Sequence, residues 1–226
     1  MPRTARIVIP DVPHHVTQRG GRKQRTFFSE QDYRFYIELL SEAKASAQVS
    51  VWAYCLMPNH THLVVVPREP DSLARFFGEA HRRYTRTINR RFGWQGHLWQ
   101  ERFHSIAMDE AHLLAAVRYV ELNPVIAGLC DTAQQWRWSS ARAHLAGLCD
   151  RLVEVEPMLS RVPDWLVYLQ NAEDREAVDR IRKNMSAGRP VGNEQFIRRL
   201  EDRVGRRLRR RKGGPEPASP ADEYPW

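Results

Sequence analysis

Cysteine is scarce in this chain: Cys55, Cys130 and Cys149 are odd in number and form no Cys-x-x-Cys pair. A disulfide framework and a zinc ribbon are both disfavoured, and a reducing cytoplasm fits best. No apolar run approaches the roughly 20 residues that a bilayer-spanning helix needs. The first ten residues, MPRTARIVIP, lack the apolar core of a signal peptide. A Gly-x4-Gly-Lys-Ser/Thr loop is missing, so ATP-driven chemistry has no phosphate cradle. Acids are in deficit, 27 Asp+Glu against 35 Lys+Arg, for a net charge of +8. That balance favours a polyanionic partner through attraction to phosphates and release of their counterions, without naming one. No set of three acids at strand ends suggests a two-metal carboxylate site.

What is present is enough for a core: 42% hydrophobic residues and seven tryptophans in 226 positions. Arg6 to Gln18 is β-rich and ends in the turn Arg19-Gly20-Gly21-Arg22. Ser29 and Asp32 suit the start of a helix whose apolar residues Tyr33, Phe35, Tyr36, Leu39, Leu40 and Ala43 recur at helical spacing. Val51–Leu56 and His62–Val66 read as a hairpin joined by Met-Pro-Asn. A second helix runs from Asp71-Ser72 to Phe92 with the stripe Leu73, Phe76, Phe77, Ala80, Tyr84 and Ile88. A strand is expected over Leu98–Met108, then a third helix from Asp109 through Leu122, halted at Asn123-Pro124. The order βαββαβα predicts an α+β domain, ferredoxin/RRM-like, with a mainly antiparallel sheet carrying helices on one face. It spans residues 1–148. A helical basic region follows over 149–212, with segments at Trp165–Met185 and Gly192–Leu208, and a flexible tail over 213–226.

Two short segments carry chemistry. In Met57-Pro58-Asn59-His60-Thr61-His62 the histidines stand one residue apart at a strand start. Positions i and i+2 of a strand point to the same face, roughly 6.6 Å apart, so both imidazoles can converge on one divalent metal. Half-buried histidines are also often structural, but the strand-end setting leaves this pair accessible. In Arg118-Tyr119-Val120-Glu121-Leu122-Asn123-Pro124, Tyr119 and Asn123 share a helix face with Cβ atoms about 5–6 Å apart. Leu113, Leu114, Val117, Val120 and Leu122 already supply the apolar contacts, so a shared site gives these two polar groups a reason. Tyr33 and Tyr36 suit a core, Tyr84 suits packing or base stacking, and Tyr224 sits in a loose tail.

Together with Leu98-Trp99-Gln100-Glu101-Arg102-Phe103 and Trp136-Arg-Trp-Ser-Ser140, these motifs resemble the REP-associated tyrosine transposases, relatives of the single-tyrosine HUH transposases of insertion sequences. The resemblance extends from about Arg6 to Gly147. It implies that His60 and His62 ligate Mg²⁺ or Mn²⁺ with Asn123 as third ligand. It also implies that Tyr119 is the nucleophile that nicks single-stranded DNA beside a hairpin and transfers the strand through a 5′-phosphotyrosine. The middle position of the His-x-His motif is hydrophobic in that family and is Thr61 here. Its side chain should point away from the metal.

Arg82, Arg83, Arg86, Arg90 and Arg102 are expected to follow the DNA backbone. Residues 198–212 hold nine basic and two acidic side chains and read as a nucleic-acid contact, with Arg206, Arg207 and Arg210 foremost. The partner is single-stranded or hairpin DNA, the chain a monomer or homodimer. Two rivals stay open: a catalytically silent single-strand binder, which would not need the His60–His62–Tyr119–Asn123 quartet, and a metal-dependent hydrolase using an activated water.

Overall fold

The computed structural model describes residues 6–171 and 175–209; Arg210 and the tail lie outside them. Four strands, β1 (His14–Arg19), β2 (Val49–Met57), β3 (His60–Pro67) and β4 (His104–Ala107), form one antiparallel sheet in the order β2-β3-β1-β4. The helices α1 (Glu30–Ala47), α2 (Ser72–Phe92) and α3 (Glu110–Ile126) complete the expected βαββαβα order. Five shorter helices follow: α4 (Ala141–Ala146), α5 (Glu156–Leu159), α6 (Trp165–Gln170), α7 (Arg175–Ala187) and α8 (Glu194–Val204).

The α+β class is as expected, but the helices cover both faces of the sheet. Under α1 and α2, Val16, Tyr54, Leu56, Leu63 and Val65 join an aromatic-rich core with Phe27, Tyr36, Phe76, Phe77 and Tyr84. All six α2 residues of the apolar stripe are fully buried. Tyr84 is a packing residue whose hydroxyl donates to the Thr26 carbonyl (2.7 Å). On the other face, Ala53, Cys55, Met57, Val64 and Ile106 meet Leu113, Ala116, Val117 and Val120 of α3. A strand presents alternate residues to opposite faces, so a long apolar strand with buried residues in both phases, as in β3, needs cover on both. A bulge at Trp52, between the pairs Val51–Val65 and Ala53–Val64, shifts the phase of β2.

Several boundaries differ from expectation, beginning with the first strand, which is His14–Arg19 and not the whole of Arg6–Gln18. The fourth strand shrinks from Leu98–Met108 to His104–Ala107, because Leu98, Trp99 and Phe103 turn into the α2 core and Glu101 takes a left-handed φ of 53°. Helix α3 runs through Pro124 to Ile126 instead of stopping at Leu122. Pro124 cannot donate to the Val120 carbonyl and crowds it, but the turn still closes through Ala127 N–H to the Asn123 carbonyl (2.9 Å). The segment over Trp165–Met185 is two helices, and α8 ends at Gly205 (φ 64°), so the basic stretch is not one helix.

Both sheet edges are covered. Leu56 N–H donates to the Trp138 carbonyl (2.8 Å) and Ser140 N–H to the Tyr54 carbonyl (2.9 Å), which lays the Trp136–Ser140 motif along β2. Val191 N–H donates to the Ala107 carbonyl (2.8 Å) along β4. Residues after 148 therefore pack on the same core: Leu152, Val153 and Val155 on one face, Met158, Trp165, Tyr168 and Ile181 on the other.

Candidate active site

The site lies on the α3 face of the two central strands. The turn before β3 is held from outside: Gly20 N–H donates to the Asn59 carbonyl (2.8 Å), and Thr26 N–H to the Pro58 carbonyl (2.9 Å). Only glycine fits at position 20, since a Cβ there would stand 2.3 Å from the Gln24 carbonyl oxygen and 2.6 Å from the Thr26 methyl. Asn59 in turn steers His60, with its Oδ1 2.6 Å from His60 Nδ1. The His60 and His62 rings stand 4.9 Å apart, nearly perpendicular. Thr61, fully buried, faces away as expected.

Helix α3 lays Tyr119 across this pair. Its ring meets His62 edge-on at 5.5 Å and the His15 ring at 6.4 Å. The helix is fixed by its opposite side. Glu121, fully buried, accepts hydrogen bonds from Ser140 Oγ (2.6 Å) and Trp165 Nε1 (2.9 Å) and pairs with His144 Nδ1 (2.6 Å). The motifs at Tyr119–Asn123 and Trp136–Ser140, far apart in sequence, are thus joined by one carboxylate.

Tyr119, His60 and His62 line a cleft of about 430 Å³ with His15, Arg19, Glu101, Arg182 and others. Asn123 lies one helical turn beyond Tyr119 and is buried, but the cleft wall forms without it. Burial and the nearby Arg19 push His60 down to about 4. Burial, then the neighbouring His15, His60, Arg19 and Arg182, hold His62 well below the usual histidine range. Both imidazoles are therefore neutral near pH 7, which is the form that ligates a metal.

Four cleft residues with a part in the site escaped sequence reasoning, Arg19 of the β1 end among them. His15 gives no signal until β1 is known to pair with β3, where Thr17 faces His62 and His15 faces Val64. Glu101 reaches the cleft through its unusual backbone φ. Arg182 arrives on α7, from beyond the motif-bearing region, and its guanidinium lies over the Tyr119 ring at 4.8 Å.

The arginines expected to meet DNA divide. Arg82, Arg86 and Arg102 line a groove of about 560 Å³ with Arg6, Trp99 and Phe103. Gln18 and Glu101 border both this groove and the cleft, so the two adjoin. Arg83 turns instead to Glu42 of α1. Arg90 is exposed in the last turn of α2. Arg206 and Arg207 are exposed just after α8, and Arg210 is outside the described residues.

Among the described residues no helix is long and apolar enough to cross a membrane. Comparison with curated proteins gave no match. A solved structure described as a REP-associated tyrosine transposase bound to a REP hairpin is similar in fold. Its TM-score is 0.56 at 21% identity, over 67% of this chain and 90% of that one. A second solved structure, described as a transposase of Deinococcus radiodurans R1, has a TM-score of 0.38 at 17% identity, over 53% and 96%. Residues 13–123, which hold β1 to β4, both motif histidines, Tyr119 and Asn123, match the family model described as "Transposase IS200 like". Residues 13–123 of this chain are similar to the IS200-like transposase family.

Proposed function

We propose that this protein nicks and rejoins single-stranded DNA through a covalent bond to Tyr119. One observation carries the reading: a tyrosine on α3 and two neutral imidazoles on β3 share a cleft that also holds Arg19 and Arg182. Cations and uncharged ligands gathered around a phenol suit a phosphodiester.

The histidines fit a divalent metal. Each ring is held through Nδ1, His60 by Asn59 (2.6 Å) and His62 by His15 (3.0 Å), which leaves the Nε2 atoms for coordination. Among the described residues no three His, Cys, Asp or Glu side chains cluster as a metal site. The two histidines would be joined by the Asn123 amide and substrate oxygens. Bringing Asn123 into the cleft requires a side-chain adjustment on α3. Bound there, Mg²⁺ or Mn²⁺ would polarise the non-bridging oxygens of the scissile phosphate.

The chain's own groups do the rest. Arg19 and Arg182 bind the phosphate, and α3, pinned through Glu121, aims the phenol. As the Tyr119 O–H bond breaks, its oxygen bonds to phosphorus and the bond to the 3′ oxygen breaks. The leaving oxygen takes up a proton, giving a 5′-phosphotyrosine and a 3′-hydroxyl. The ester keeps the bond energy, so a second 3′-hydroxyl can reverse the step without ATP.

The groove with Arg6, Arg82, Arg86 and Arg102 leads the strand to the cleft, and Arg206 and Arg207 with Arg210 meet the hairpin or its flank. The similar protein bound to a hairpin supports a hairpin as the partner. The test is incubation with hairpin-bearing single strands and Mn²⁺ or Mg²⁺, then denaturing electrophoresis. A metal-dependent band of protein-linked DNA is expected. Cleavage with no such band would indicate a hydrolase, and binding with no cleavage a silent binder.

A further inference from the structure

We infer that His15 is a positioning residue for the metal site: it accepts the proton that fixes His62 in its coordinating tautomer. The inference rests on the metal reading above and adds a residue that neither the motif nor the family match singles out.

His15 Nε2 lies 3.0 Å from His62 Nδ1, and the rings lie edge to edge and nearly coplanar, 5.2 Å between centroids at 16°. Both side chains are buried, with 2% and 7% exposure. A hydrogen bond between two neutral imidazoles needs one donor and one acceptor. Two arrangements are open. If His15 donates from Nε2, then His62 carries its own proton on Nε2, where a metal would bind. If His62 donates from Nδ1, its Nε2 lone pair is free to coordinate. A ligating histidine is ordinarily held in this second way by an acceptor on its other nitrogen.

The remaining atom leaves both arrangements open to His15. His15 Nδ1 is buried and has no hydrogen-bond partner among protein atoms. Nothing else therefore fixes the proton of His15 to either nitrogen. It can sit on Nδ1 and leave Nε2 as the acceptor without breaking another bond. His14, next in the chain, contrasts with it: its Nε2 accepts from Ile9 N–H (3.2 Å) and its Nδ1 donates to the Val12 carbonyl (2.7 Å), so its tautomer is locked. The unlocked member of the pair faces His62. His60 receives the equivalent service from Asn59 Oδ1, so each strand ligand has its own acceptor.

The test is Mn²⁺ titration of the full-length, DNA-free protein by calorimetry, comparing the wild type with His15→Leu and His15→Gln. Leucine fills similar space with no acceptor, and Mn²⁺ affinity is expected to fall by about 10–100-fold. Glutamine can place an amide oxygen near the Nε2 position and is expected to recover most of that loss. Unchanged Mn²⁺ affinity in a folded His15→Leu protein overturns the inference. So does a glutamine variant as weak as the leucine one, since packing and not the acceptor would then matter. A wild type that binds no Mn²⁺ overturns the metal reading with it, and is told apart by failing before any substitution is made.

Discussion

The two faces of the central sheet come from the same strands yet have opposite characters. Under α1 and α2, β3 presents Thr61, Leu63 and Val65 to a dry core of stacked rings, such as Phe27 against Tyr33 at 4.4 Å and Tyr33 against Trp138 at 4.7 Å. Toward α3 and α7 the alternate residues of the same strand are His60 and His62, at a cleft holding Tyr119 and Arg182. Burying polar groups is costly unless they are paired. The first face supplies the burial that lets the second keep imidazoles in desolvated positions. Even Thr61 and Tyr84, polar by type, are absorbed into packing on the first face, while His15, one residue from Val16, is directed to the second. A period of two in the strand divides stability from chemistry.

Several substitutions would break or sharpen that division. Tyr119→Phe should abolish nicking, by a factor on the order of 10⁴ or more, with an unchanged melting temperature. Nicking assays and thermal melts check both halves, and an active variant would remove the tyrosine from its role. Phe77→Ala on the opposite face should do the reverse, costing about 3–5 kcal/mol of stability while the folded fraction keeps its Mn²⁺ affinity. Denaturant unfolding and calorimetry measure these, and a weakened metal affinity would show that the faces are not separable. Glu121→Ala bridges the two regions. It leaves Ser140, Trp165 and His144 without their shared acceptor and should cost about 3–5 kcal/mol, with nicking by the remaining folded protein also reduced.

The packing side has a pH effect of its own. Burial, partly opposed by the Val12 carbonyl, pushes His14 down to about 4. An unfolded histidine titrates near 6.5, so below that pH the unfolded chain gains a proton the folded one refuses. Stability is complete above about pH 6.5 and is lost as pH falls toward 4. In urea titrations across that window, His14→Gln should reduce the proton uptake on unfolding by up to one. The smallest effect concerns neither face. Replacing the exposed Arg206 and Arg207 with alanine should flatten the salt dependence of DNA binding, by about 0.7–0.9 for each phosphate no longer neutralised, and leave residual nicking.

Much of the packing face was legible in sequence. The stripe from Leu73 to Ile88 sits at helical spacing and is buried residue for residue, because a regular 3.6 period is local information. The His60–His62 pair was also legible, since the strand period places both on one face, whereas Tyr119 joined them only through the resemblance to a known family. The rest depends on pairing between distant segments. That His15 meets His62 requires the β1–β3 register, and that Arg182 covers Tyr119 requires knowing where α7 docks. The overlong fourth strand and the early end of α3 failed for local reasons. Glu101 adopts a backbone conformation unusual for its type, and Pro124 falls where a helix can tolerate it.

The most direct test of the central claim is to digest the covalent protein–DNA complex formed with a hairpin-bearing single strand and a divalent metal, and to locate the modified residue by mass spectrometry. The account predicts one peptide, carrying a nucleotide on the Tyr119 oxygen through a 5′ phosphate. Attachment at any other tyrosine, or through a 3′ phosphate, would contradict it.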